Sequence, residues 1–192
     1  MRRILMLLPF LLLSSALVMA QSVSIPSVRL RGRSFADLQA GQKALLSNYC
    51  RLDYDGARLQ ENGWSRFKPY TTLRTNPEFT RLVIVTRFDI ELPETPSQTI
   101  AVRYQTLGLY DEFDGYTANT NGAQVGFRVQ EHSGELMVTE IDPASPHVSP
   151  RAAIAWMTGR LADPKTSELE QAHLKEALAQ LNRFVQPRPP AQ

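Results

Sequence analysis

The sequence predicts an α+β fold, with a curved antiparallel sheet of about four strands packed by N-terminal helices and followed by a C-terminal helical pair. Three observations carry this. Apolar residues recur at helical spacing from Phe35, the period changes to two at Arg81, and helical spacing returns after Pro150. A run of strands between runs of helices, with no βαβ alternation, belongs to the α+β class.

The first 20 residues, MRRILMLLPFLLLSSALVMA, are expected to be a signal peptide. Arg2 and Arg3 precede an apolar run, and Val18-Met19-Ala20 fits the signal-peptidase pocket, so cleavage is expected after Ala20. The apolar segment is on the order of 15 residues where a spanning helix needs ~20, so no stable membrane insertion is expected after cleavage. Gln21 rather than cysteine follows the cut, which removes the signal for a lipid anchor. The expected address is the periplasm.

Cleavage takes Arg2 and Arg3 from a chain with 21 Lys+Arg and 19 Asp+Glu, so the net charge falls from +2 to zero. A neutral chain offers no electrostatic ground for binding nucleic acid or anionic lipid. Residues 21–192 suffice for one domain.

Residues 21–33 read as a linker, with Arg29, Arg31 and Arg33 alternating along an exposed arm. A single α+β domain is expected over 34–185. Ser34-Phe35-Ala36-Asp37 is a capping box, and Phe35, Leu38, Leu45, Tyr49 and Leu52 form the apolar stripe of the helix it opens. Gly56 ends that helix, and Gly63 precedes a short helical turn carrying Trp64 and Phe67.

In RLVIVTRFDIEL the alternation puts Leu82, Ile84, Phe88, Ile90 and Leu92 on one face with Thr86 among them. It puts Arg87, Asp89 and Glu91 on the other. QTIAVRYQTLGLY gives a second strand, and Gln124 to Ile141 a hairpin turning at Glu131-His132-Ser133-Gly134. The helices are expected on one face of this sheet.

DPASPHVSP is a turn-rich crossing. Ser149 N-caps the next helix with Pro150 at its first position, and Ile154, Met157 and Leu161 give that helix its apolar face. Ser167-Glu168-Leu169-Glu170 is a second capping box, leading to the stripe Leu174, Leu178, Leu181 and Phe184. That stripe packs on the sheet in cis or on another molecule, and the length of the crossing favours cis. Residues 186–192 are a Pro-rich tail expected to be disordered.

Most site chemistries fail on spacing. DYDG placed in a calcium loop puts Arg51 at the first ligand position and Asn62 at the twelfth, which cannot coordinate as required. His132, His147 and His173 offer no paired spacing and Cys50 has no second cysteine, so neither a metal nor a disulfide is expected. Cys50 lies mid-helix among apolar residues, the setting of a buried structural thiol. Ser149 beside His147 is explained by the helix cap, and neither a Gly-x-Ser-x-Gly elbow nor a phosphate-cradling glycine loop is present. No cofactor is expected.

What remains is an aromatic-lined pocket beneath the helices. Its ligand-binding candidates are Tyr54, Trp64 and Tyr104, with Asp53 and Thr86 as polar tips. The plainer reading makes these aromatics core.

The helix carrying LLSNYCRLDYDG and the hairpin VGFRVQEHSGELMVTEI resemble the nuclear-transport-factor-2-like, or cystatin-like, α+β superfamily over about Phe35 to Pro143. The C-terminal helical pair departs from that pattern, and the Asp/His and paired-Asp constellations of the superfamily's enzymes have no counterpart here. The resemblance implies either a non-catalytic binding domain or an isomerase- or dehydratase-like enzyme with a cone-shaped pocket. A periplasmic interaction domain, with an unknown protein or a small apolar ligand as partner, is the first expectation. The enzyme is the second.

Overall fold

The computed structural model describes residues 34–185, and the signal peptide, linker and tail expected at 1–20, 21–33 and 186–192 lie outside them. Helix α1 (Phe35–Tyr54) is followed by two 3-10 turns (Ala57–Leu59 and Gly63–Phe67). Strands β1 (Arg81–Glu91), β2 (Thr99–Asp111), β3 (Gly115–Ala118), β4 (Ala123–His132), β5 (Glu135–Asp142) and β6 (His147–Val148) precede α2 (Pro150–Ala162) and α3 (Glu168–Val185). The sheet is strongly curled, a half-barrel of order β5-β4-β2-β1-β6 with β3 also paired to β2.

The local signals act as expected at the helix starts. Ser34 Oγ accepts from the Asp37 amide while Asp37 Oδ2 accepts from the Ser34 amide. Ser149 Oγ caps α2 through the Ala152 amide. At α3 only half of the box forms. Ser167 Oγ accepts from the Glu170 amide, but the Glu170 carboxylate is drawn to Arg160 of α2 at 2.6 Å. A charge-assisted bond to a neighbouring helix outcompetes the weak reciprocal contact.

The sheet differs from expectation in two ways. It has six strands, and one pair is parallel: β6 runs alongside β1 with His147 opposite Val83 and Val148 opposite Ile84. His147 thus lies in a strand, where a loop was expected. The strand faces also differ. Thr86 of β1 and Leu107 of β2 are each skipped in the pairing register, which inserts one extra residue into each strand. An extra residue swaps the faces, because side chains alternate with period two.

Leu82 and Ile84 therefore point to one side while Val83, Val85, Phe88 and Ile90 point to the other. The run Leu82–Val85 is buried on both faces, so helices cover both sides of the sheet rather than one. Helix α1 and the 3-10 turns pack on one face with Tyr49, Phe67, Tyr104 and Phe127. Helices α2 and α3 pack on the opposite face, where Met157, Leu174 and Leu181 are fully buried against Leu82, Ile84 and Tyr110. The C-terminal stripe is thus covered in cis, although its expected last member, Phe184, is exposed.

Candidate functional site

Asp53 and Cys50 lie on the buried stripe of α1, one turn apart. Gly56 follows the helix at φ 79°, a left-handed conformation that suits glycine, and turns the chain so that Arg58 comes back beneath Asp53. From the other side β6 docks on the end of α1: the Ser149 amide donates to the Tyr54 carbonyl, and the His147 amide donates to Asp53 Oδ2 at 3.0 Å. Tyr104 completes the cluster, stacked on the His147 ring at 4.2 Å and donating its hydroxyl to Cys50 Sγ at 3.3 Å.

These groups are sealed from water: Cys50 is 0 %, Tyr104 1 %, His147 2 % and Asp53 3 % exposed. Burial pushes the Asp53 carboxyl up to about 6, against the lowering pull of Arg58 and of the His147 amide. Burial likewise pushes the Cys50 thiol up to about 12 and holds His147 down at about 4. His147 Nδ1 faces the Ser145 carbonyl at 2.8 Å, which only accepts, so the proton sits on Nδ1. Its Nε2, Asp53 Oδ1 and the Tyr49 hydroxyl have no hydrogen-bond partner among the described residues.

Arg58 is the organiser that the sequence reading missed. Its guanidinium, 1 % exposed and 3.9 Å from Asp53, donates to Asn76 Oδ1 and to the carbonyls of Pro77 and Ala144. It lies between the rings of Trp64 and Phe79, 6.0 and 5.8 Å from their centroids. The residues it bridges, Asn76–Pro77 and Ala144, belong to the segments leading into β1 and β6. Where those parallel strands part, one guanidinium satisfies a carbonyl on each side in place of ladder bonds.

The five residues expected to line a pocket divide around this cluster. Asp53 and Tyr104 belong to it. Tyr54 adjoins it through Phe88, whose ring is 6.3 Å from Tyr54 and 6.0 Å from Tyr104. Thr86 is exposed and offers its carbonyl to the Tyr54 hydroxyl. Trp64 stands apart, stacked on Phe67 on the far side of Arg58.

Surface clefts lie among the described residues, and three of them bear on this cluster. One of about 640 Å³ lies over Arg58, between Asn76–Thr80 and Ala144–Ser145. A second, about 350 Å³, is lined by Leu38, Gln42, Val129 and Leu136, and a third, about 540 Å³, by polar side chains of β1, β2 and the chain entering β4. Tyr104 borders the third, whereas Cys50, Asp53 and His147 line none of these three.

Among the described residues no group of three or more His, Cys, Asp or Glu side chains is placed to hold a metal ion, and no helix is long and apolar enough to cross a membrane. No protein-family model, curated protein or solved structure matches the chain.

Proposed function

We propose that this chain is an exported, periplasmic interaction domain whose buried polar cluster is structural rather than catalytic. The sealing of Cys50, Asp53, Tyr104 and His147 carries this reading, because a nucleophile or general base must reach its substrate. The thiol adds support. At about 12, with a tyrosine hydroxyl rather than an imidazole beside it, it stays protonated at neutral pH. The resemblance to nuclear-transport-factor-2-like folds belongs to the same reading, supported by a long helix packed on one face of a curled, mainly antiparallel sheet.

A partner would then meet side chains on the surface. Phe113, Leu169 and Phe184 are each more than half exposed, on the β2–β3 turn and at the two ends of α3. Isolated exposed apolar residues are ordinary, so the contact itself must be tested.

A photo-crosslinking amino acid placed at Phe113, Leu169 or Phe184 in the exporting cell should give a discrete adduct, and one at exposed Glu135 should not. No adduct at any of the three positions, or a chain retained in the cytoplasm, would overturn the proposal. The enzyme reading has one observation in its favour, a carboxyl whose proton affinity burial lifts to about 6, towards the neutral range. It would gain if a small molecule protected Asp53 from titration.

A further inference from the structure

The cleft over Arg58 has two walls with no secondary structure joining them. One leads into β1 and the other into β6, and these strands pair over only two residues. The direct ties reaching across near the gap are few. The Val83 amide donates to the Pro146 carbonyl, and Arg58 donates to Asn76 and Pro77 on one side and Ala144 on the other. Asn76 Nδ2 returns a bond to the Arg58 carbonyl, fixing the first wall to the 3-10 turn. Behind the guanidinium stands Asp53, the one carboxylate within 4 Å of it among the described residues, whose other bond is to the backbone of β6.

From this geometry we infer that the Asp53–Arg58 pair is a proton-operated clamp on the cleft: protonating Asp53 releases Arg58 and lets the Asn76–Thr80 and Ala144–Ser145 walls part.

The physical argument is reciprocal linkage. Arg58 lowers the proton affinity of Asp53, so a proton on Asp53 must weaken the hold on Arg58 by the same factor. A guanidinium left among carbonyls without its counter-ion is a desolvated, uncompensated charge, and the nearby cleft offers it a route to water. Asp53 stays in place, because β6 and α1 enclose it. The groups facing it are Tyr49 and Cys50 from its own helix, Arg58 from the 3-10 turn, Tyr104 from β2 and His147 from β6. Burial holds the tyrosines and the thiol protonated, and His147 is neutral down to about 4. Between pH 7 and 5, Asp53 is therefore the member of this group that changes charge.

The test is amide hydrogen exchange of the intact protein between pH 7.5 and 3.5, expressed as protection factors. Peptides covering 74–83 and 143–149 report on the two walls, and 100–106 in central β2 is the control. Protection should fall at least tenfold in both walls together, with a midpoint near pH 6 and no change in the control. In Asp53→Asn both walls should already exchange fast at pH 7.5 and show no further step. Flat protection in the native protein would overturn the clamp whether or not the variant folds. So would a step in only one wall, or a midpoint near 4, which would assign the change to His147.

Discussion

Asp53 and His147 meet through one hydrogen bond, yet burial drives their proton affinities in opposite directions. Asp53 is raised from 3.8 to about 6, so the fold favours its protonated form. That contribution is complete below about pH 4 and is lost as pH rises through about 6. His147 is lowered from 6.5 to about 4, so its contribution is complete above 6.5 and is lost as pH falls towards 4. Each displacement corresponds to roughly 3 kcal/mol, and the two nearly cancel across this window. Denaturant titrations should show a nearly flat contribution from the pair in the native protein. Asp53→Asn should lose stability by roughly 3 kcal/mol between pH 7 and 4, and His147→Asn should gain a similar amount. Parallel slopes for the two variants would contradict this. Cys50 answers to the same desolvation. Its thiol should alkylate orders of magnitude more slowly than a free cysteine in the folded protein, and Cys50→Ala should cost about 1–2 kcal/mol.

Strand β1 shows how much depends on a single extra residue. Plain alternation places Ile84 and Phe88 on one face, and the bulge at Thr86 separates them. Ile84 is fully buried between the sheet and the α2–α3 pair, whereas Phe88 is half-buried beside Tyr54 and Tyr104. Ile84→Ala should therefore cost ~3–4 kcal/mol, Phe88→Ala less despite its larger side chain, and exposed Asp89→Ala at most ~0.5. Urea denaturation of the three variants checks the order. Phe88→Ala emerging as the most damaging would mean that the strand has no face swap. In the neighbouring strand the Tyr116 ring lies so close over Gly108 that an added Cβ would sit 2.5 Å from it. Aromatic cover of a strand glycine of this kind keeps β3 seated on β2.

At the scale of the whole molecule, the sheet holds two cores on its two faces, and the C-terminal pair makes the second one. Burying Leu174 and Leu181 contributes roughly 1.5–3 kcal/mol each, and α3 also shields Met157, Ile84 and Tyr110. Deleting everything after Asp163 should abolish the cooperative melt or lower Tm by more than about 10 °C. An unchanged Tm with loss of self-association would instead make α3 an interaction element.

The α+β class, the helix starts at Ser34 and Ser149, the hairpin and the buried thiol were all legible in the sequence. Each rests on contacts within a few residues or on a period sustained over many. Of the polar cluster, only Asp53 and Tyr104 were legible as site candidates, as a polar tip and an aromatic, and nothing local pointed to their partners. His147 lies 94 residues from Asp53, and Ala144 lies 86 from Arg58. A two-residue strand such as β6 has no period of its own. It exists because β1 offers an edge and because α1 offers a carboxylate for its amide. Bulges leave the composition of a strand intact while reversing its faces, so Thr86 could not announce its own. Desolvation, which sets the charge states of Asp53, Cys50 and His147, is a property of the surrounding volume. That volume is assembled from α1, β2, β6 and the turn at Arg58, so tertiary structure alone decided it.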